Sequence, residues 1–234
     1  RLAVTLGDPR GIGPEVAAAA ARALAAEPDR PTLLFVGPEG TGAEAEADEF
    51  LPVGRWEGTG PAEAGRLAGR AVERAARLAL DGTVDGIVTA PLDKAALRAG
   101  GYDYPGHTEM LALLAGGAAV AMMLAAEETD AGGPLRVVLV TTHIPLARVP
   151  AELSTARVTA AARITAAGLR DGWGLDRPRL ALCAVNPHAS EHGLFGDEEA
   201  RILEPARDAL RAEGLDVHGP LPADTVFVRA IAGE

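Results

Sequence analysis

The sequence predicts an α/β protein built on a mainly parallel sheet with helices on both faces. Three observations predict it. Short apolar runs alternate with longer segments of helical periodicity from one end of the chain to the other. Of 234 residues, 48% are hydrophobic but only 3% aromatic, so a sizeable core is assembled from Ala, Val, Leu and Ile. No internal repeat and no low-complexity linker interrupts the pattern. Strands joined by crossover helices give a parallel sheet covered on both sides. One domain or two packed lobes both satisfy the pattern.

Residues 2–6 are apolar and predict a strand. Gly13–Glu27 follows as a helix, with Pro14 suited to its first turn. Thr32–Val36 predicts a second strand, closed by Gly37-Pro38. Residues 38–60, rich in Gly, Glu and Pro, read as loop or a variable insertion. Pro61–Leu80 is a helix, Asp85–Ala90 a strand and Asp93–Ala99 a short helix. Gly106-His107-Thr108-Glu109 opens a helix through about Ala115. Ala119–Leu124 and Leu135–Val140 predict strands, with Met122 and Met123 in the core. Ser154–Leu169 predicts a helix with Ser154 as N-cap. Arg179–Val185 is a strand, Asp197–Glu213 a helix, and Thr225–Ala230 begins another element.

Acidic residues number 33 and basic residues 22, for a net charge of −11. Binding to nucleic acid is not expected, because phosphate neutralisation needs clustered Lys and Arg. Cys183 stands alone, so no internal disulfide forms and a reducing compartment is the simplest reading. No apolar run approaches the ~20 residues that span a bilayer. Arg1–Pro9 reads as strand and turn without a leader pattern. A cytoplasmic protein without membrane partners is expected.

Several apolar strands end abruptly in polar clusters: Gly7–Glu15, Pro91–Lys94, Thr141–Pro145 and Asn186–Glu191. Ligands of open α/β sheets bind at the carboxyl ends of strands, so Lys94, His143 and His188 could converge although distant in sequence. Glycines 7, 11 and 13 suit either an anion-binding loop or a tight strand-to-helix turn. The loop matches neither the dinucleotide fingerprint nor a phosphate-binding P-loop.

His143 and His188 stand beside prolines at equivalent strand ends. Neutral imidazole is a common ligand of divalent metals, and two such residues favour a metal site over structural histidines. A third ligand must then come from Asp224, another segment or another subunit. Asp224 could aim at a metal or a reacting proton, or cap the next element. His107 and Thr108 at a helix start suit a carboxylate or phosphate, with an N-cap by Thr108 the alternative. Lys94 is a phosphate-binding cation or a solvated helix residue. His192 and His218 read as surface residues.

Taken together, these motifs resemble the 4-hydroxythreonine-4-phosphate dehydrogenase family. The match rests on Gly7-Asp8-Pro9-x-Gly11-Ile12-Gly13-Pro14-Glu15, Thr89-Ala90-Pro91-Leu92-x-Lys94 and Gly106-His107-Thr108-Glu109. It continues through Thr141-Thr142-His143-Ile144-Pro145-Leu146, Asn186-Pro187-His188-Ala189 and Gly219-Pro220-Leu221-Pro222-Ala223-Asp224-Thr225. The resemblance implies a two-lobed, three-layer α/β/α fold of the isocitrate and isopropylmalate dehydrogenase type. It implies a homodimer with its active site at the lobe and subunit interface.

The resemblance makes His143 and His188 metal ligands, His107 and Thr108 substrate-binding, Asp224 a metal or proton group, and Lys94 an active-site cation. No residue is assigned to the nucleotide. The implied reaction is NAD- or NADP-dependent oxidation and decarboxylation of 4-phosphohydroxy-L-threonine, in vitamin B6 biosynthesis. Zinc, cobalt or manganese suits the His ligands, and magnesium a carboxylate-rich shell.

Arg10, Asp93 and Ser190 depart from the family pattern beside these residues. Related dehydrogenases act on threonate or erythronate 4-phosphate, or on aromatic cis-dihydrodiol carboxylates. A phosphate acyltransferase-like enzyme is an alternative of another class, but it leaves His143 and His188 without a role. The resemblance also implies a further C-terminal segment bearing a third metal-binding His. The whole of 1–234 is therefore expected to be one two-lobed catalytic unit that is incomplete at its C-terminus.

Overall fold

The computed structural model describes residues 1–234, which divide into two units, Arg1–Ala118 and Ala119–Glu234. In the first, strand β1 (Leu2–Thr5) leads to helix α1 (Gly13–Leu24), and β2 (Leu33–Glu39) to β3 (Glu49–Arg55). Helix α2 (Pro61–Leu80), β4 (Gly86–Thr89), α3 (Lys94–Ala99) and α4 (His107–Leu114) complete the unit. The four strands form one parallel sheet in the order β3-β2-β1-β4.

Strand periodicity of two divides the side chains between two cores. Ala3, Leu34, Val36 and Val53 point to one face, where Leu67, Ala71, Ala75 and Leu78 of α2 cover them. Val4, Leu6, Leu33 and Phe35 point to the other, under Ala17, Ala18 and Ala21 of α1. The expected helix–sheet–helix layering is thus present here. Alanine on the covering helices lets their backbones lie close to the sheet, which explains a core with so few aromatics.

The expectation of a loop over residues 38–60 is wrong. Residues 49–55 add a fourth strand at the sheet edge, beyond a 3₁₀ turn at Ala43–Glu46. Pro52 and Gly54 hid it, and Pro is tolerated on an edge strand, where one side of the backbone has no partner.

In the second unit, β5 (Met122–Ala126) and β6 (Leu135–Leu139) form an antiparallel pair. They therefore do not join the parallel sheet expected of them. Met122 and Met123, expected in the core, are half-buried. A 3₁₀ turn (Leu146–Arg148) and short α5 (Val149–Glu152) precede α6 (Thr155–Trp173), β7 (Arg179–Cys183), α7 (Glu204–Ala212), β8 (Asp216–Leu221) and α8 (Ala223–Ile231). Ser154 caps α6, accepting from the Arg157 N–H at 3.3 Å.

β7 and β8 pair in parallel, with an irregularity between Ala181 and Cys183. β8 went unpredicted because Gly219 and Pro220 mask its apolar run. The helix expected over 197–213 begins instead as a π-turn at Glu199–Leu203. Pro205 has no N–H to donate to the preceding turn, so regular helix starts only there. Ile202, Leu203 and Ala206 pack with Leu153 and Val158, while Leu210, Ala162 and Val217 make a second cluster. No helix is long and apolar enough to cross a membrane.

Candidate active site

The strand order of the first unit reverses at β1, so β1 and β4 flank a switch point, the place where open α/β sheets take ligands. Both strands end there in polar loops. An open hollow of about 470 Å³ between the loops is lined by Asp8, Arg10, Gly11, Leu92, Asp93 and Lys94.

The glycines serve packing. Gly7 has φ +68°, and a Cβ there would stand 2.1 Å from the Pro91 carbonyl oxygen; one on Gly13 would stand 2.4 Å from that of Leu6. The space a side chain would fill is occupied by backbone rather than left for a nucleotide. The tight-turn reading of the loop is therefore correct for these two positions.

Asp8 is buried. Its carboxylate accepts from Arg10 Nε at 3.0 Å, Nη2 at 2.6 Å and the Arg10 backbone N–H at 2.9 Å. Arg10 Nη2 also reaches Asp93 Oδ2 at 3.4 Å. Asp93 caps α3, accepting from the Ala95 and Ala96 N–H groups at 2.8 and 3.0 Å. The Ala96 N–H, and then Ala95 and Arg10, hold the Asp93 carboxyl below its usual range despite desolvation. Arg10 and Asp93, two of the three departures from the family pattern, thus form one strap across the hollow. Lys94 begins α3 and is exposed; its Cε lies 3.9 Å from where a Cβ on Gly106 would stand, so it reaches the start of α4.

At that start, the N-cap is Gly106, not Thr108, and no side chain caps the helix. Thr108 is exposed. His107 Nε2 is buried without a hydrogen-bond partner. Leaving such an atom unpaired costs about 1–3 kcal/mol, which a ligand hydrogen bond would recover. Burial also pushes the His107 pKa below its ordinary 6.5. Burial therefore favours the uncharged imidazole at neutral pH.

The linkage has a definite sign. The unfolded chain takes up the His107 proton more readily, so its contribution to stability is complete above pH 6.5 and falls as pH drops through the lowered folded pKa. His107→Gln is expected to flatten unfolding free energy against pH in the range just below pH 6.5, as read by denaturant titration. An unchanged slope would remove His107 as its source.

In the second unit, β7 and β8 end side by side, Cys183 opposite Leu221. Helix α8 then turns back: Arg179, at the start of β7, donates to the Gly233 carbonyl at 2.6 Å. A Cβ on Gly133, just before β6, would stand 2.3 Å from the Ile231 carbonyl oxygen. The C-terminal end of α8 therefore lies at the beginnings of β6 and β7, and its N-terminal end at their carboxyl ends. α8 also packs on the segment Pro187–Gly193. His143, His188 and Asp224 follow β6, β7 and β8 respectively, and all three are exposed. Asp224 does not cap α8, whose N-cap is Pro222. His192 and His218 are exposed, as expected, and His218 Nε2 meets Asp216 Oδ1 at 2.7 Å.

Both imidazoles sit on strained backbone. His143 has φ +57°, and residues 188–192 run at φ +51°, +54°, +63°, +45° and +60° as a left-handed turn without glycine. At roughly 1–2 kcal/mol per residue, the turn stores on the order of 5–10 kcal/mol. Such strain persists only where surroundings over-determine it, and it concentrates at functional sites.

Glu199 supplies part of that restraint. It is 2% exposed, and its Oε1 accepts from the Val185 and Asn186 N–H groups at 2.9 and 2.8 Å. Its Oε2 accepts from Asn186 Nδ2 at 2.9 Å. Burial works to raise the Glu199 carboxyl, but the hydrogen bonds from Asn186 and its neighbours outweigh it and hold the pKa below the usual range. Sequence reading missed Glu199, because a Glu at the start of an amphipathic segment reads as solvent-facing.

Two imidazoles and a carboxylate are donors a divalent cation takes, and they fit one in kind. They do not close a shell by themselves: no three His, Cys, Asp or Glu side chains of the chain form a group able to hold a metal ion.

A parallel sheet with its polar side chains on loops beyond the strand carboxyl ends defines an α/β protein that takes its ligand there. Comparison with known proteins specifies which. The chain belongs to the family described as pyridoxal phosphate biosynthetic protein PdxA, whose model matches residues 16–234. It is 44% identical to a 4-hydroxythreonine-4-phosphate dehydrogenase of Paracoccus denitrificans, over 96% of this chain and 73% of that protein. It is 42% identical to the D-threonate 4-phosphate dehydrogenase of Salmonella typhimurium, over 100% of this chain and 78% of that protein. The crystal structure of a 4-hydroxythreonine-4-phosphate dehydrogenase from Klebsiella pneumoniae superposes with a TM-score of 0.86 at 39% identity, covering 99% of this chain and 76% of that one. The fold is of the isocitrate dehydrogenase type, and the chain is an oxidoreductase whose chemistry uses a nicotinamide cofactor.

Proposed function

We propose that this enzyme oxidises 4-hydroxythreonine 4-phosphate at its secondary alcohol, with NAD or NADP as acceptor, and that the resulting keto acid loses CO₂ to give 3-amino-2-oxopropyl phosphate. The observation that carries the reading is that His143, His188 and Asp224 each stand a few residues past the carboxyl end of a strand, in a chain 44% identical to an enzyme of that name. When bound, a divalent cation such as zinc, cobalt, manganese or magnesium supplies Lewis acidity at the hydroxyl oxygen, and the nicotinamide supplies the hydride acceptor.

The side chains divide the remaining work. His143 and His188 hold the cation, with the shell completed from outside this chain in a homodimer that shares its active sites. Asp224, exposed and free of any capping bond, takes the hydroxyl proton. His107 Nε2 and the Thr108 hydroxyl hydrogen-bond the substrate. The Lys94 ammonium offsets substrate negative charge. Oxidation places a ketone β to the carboxylate, so the electrons left by CO₂ pass into the ketone as an enolate.

A second reading has its own support. The relative named for D-threonate 4-phosphate matches along the entire chain, and Arg10 and Asp93 line the hollow with Lys94. The two substrates differ at C2, amino against hydroxyl. A panel of 4-hydroxythreonine 4-phosphate, threonate 4-phosphate and erythronate 4-phosphate, followed as NADH or NADPH formation with and without chelator, decides. The proposed function predicts the highest kcat/KM for the amino acid phosphate and its loss with chelator. Higher kcat/KM for threonate 4-phosphate establishes the second reading; turnover of none, with metal and both nucleotides present, rejects both.

A further inference from the structure

We propose that Glu199 is a positioning residue for His188: its buried carboxylate fixes the backbone from which the left-handed turn presents the imidazole. The inference rests on the reading of His188 as a cation ligand.

Glu199 belongs to the π-turn, whose Ile202 and Leu203 are set in the core with Leu153 and Val158. The Ile202 carbonyl is further tied by the Thr155 hydroxyl at 3.2 Å. The carboxylate is thus mounted on a fixed base. A buried carboxylate needs donors, and three of them come from the segment leading into His188. None is a cation, so Glu199 is not half of an ion pair.

The path of the chain shows what these bonds do. The Ala184 N–H makes the last strand bond, to the Leu221 carbonyl at 2.8 Å. Val185 and Asn186 lie beyond the ladder, and Pro187 has no N–H. The left-handed turn begins at the next residue. The donors of residues 185–187 all go to Glu199, apart from a second bond from Asn186 Nδ2 to Glu198 Oε2 at 2.8 Å. Glu199 therefore bridges the end of the sheet and the residue proposed to meet the cation. Outer groups that orient metal ligands typically contribute 10–100-fold in affinity.

Cobalt(II) titration of the full-length protein, followed by the visible absorbance of the bound ion, tests this apart from turnover. Glu199→Gln puts an NH₂ against the Asn186 amide while nearly preserving shape. It is expected to weaken Co²⁺ binding about 10–100-fold, to speed amide exchange at Val185 and Asn186, and to leave the far-ultraviolet circular dichroism unchanged. His188→Ala, run beside it, is expected to lose the bound-cobalt spectrum. Wild-type affinity in Glu199→Gln, together with loss in His188→Ala, overturns the positioning role alone. Wild-type binding in His188→Ala removes the ligand reading, and this inference with it. If Glu199→Gln does not fold, Glu199→Asp keeps the carboxylate but draws it back by one methylene from the N–H groups of residues 185 and 186, and unchanged Co²⁺ affinity there overturns the proposal equally.

Discussion

His188→Ala is expected to lower kcat/KM of the metal-loaded enzyme by about 10³-fold or more, since several kcal/mol of charge stabilisation depend on the cation and each 1.36 kcal/mol is tenfold. The fold should not change. The side chain is exposed, so no core contact is lost. Alanine and histidine are both ill-suited to φ +51°, so the backbone strain stays as it was.

His188→Gly sharpens the test. Relief of left-handed strain, ~1–2 kcal/mol, outweighs the extra unfolded-state entropy of glycine, ~0.5–1 kcal/mol. That variant should be at least as stable as the wild type and equally inactive. A stable, inactive His188→Gly would mean that the strain at this position serves function rather than folding. Full activity in either variant, with metal and substrate supplied, would falsify the assignment of His188.

Gly7→Ala carries the second large effect, on stability. The new Cβ would stand 2.1 Å from the Pro91 carbonyl oxygen and 2.9 Å from that of Ala90, on backbone at φ +68°. Neither obstacle is the end of a flexible side chain. The Asp8 N–H bond to the Pro91 carbonyl, 3.0 Å, ties the same two loops together and would be disturbed. Left-handed strain and the backbone overlap together should cost roughly 3–5 kcal/mol. At ~2–4 °C per kcal/mol for a chain of this size, melting should fall by roughly 10 °C. Activity should fall as well, because Arg10, Asp93 and Lys94 all stand on the loops that must separate. A Gly7→Ala protein that melts with the wild type would show that the turn has another conformation open to it.

Much of this was legible in the sequence, for reasons visible residue by residue. Pro61–Leu80 was read to the residue because a long amphipathic helix with Pro in its first turn and Asp81 at its end is specified locally. Ser154 caps the helix it precedes, a property of short polar side chains next to free N–H groups. β3 and β8 were not legible, because Pro52, Gly54, Gly219 and Pro220 weaken their local signal and pairing with β2 and β7 makes them strands. Glu199 was not legible either: whether a glutamate faces water or the amides of residues 185 and 186 is decided by what packs around it.

The motifs themselves, with their order along the chain, determined the class of enzyme and named His107, His143, His188 and Asp224, because side-chain chemistry is written in the sequence directly. Only the tertiary structure decided that His107 is neutral, that Arg10 is tied between Asp8 and Asp93, and that His188 stands on a left-handed turn held from behind. Those are properties of burial and of contacts between residues distant in the chain. Burial changes the balance between charged and neutral forms, and packing alone can hold a backbone in a conformation its own residues disfavour.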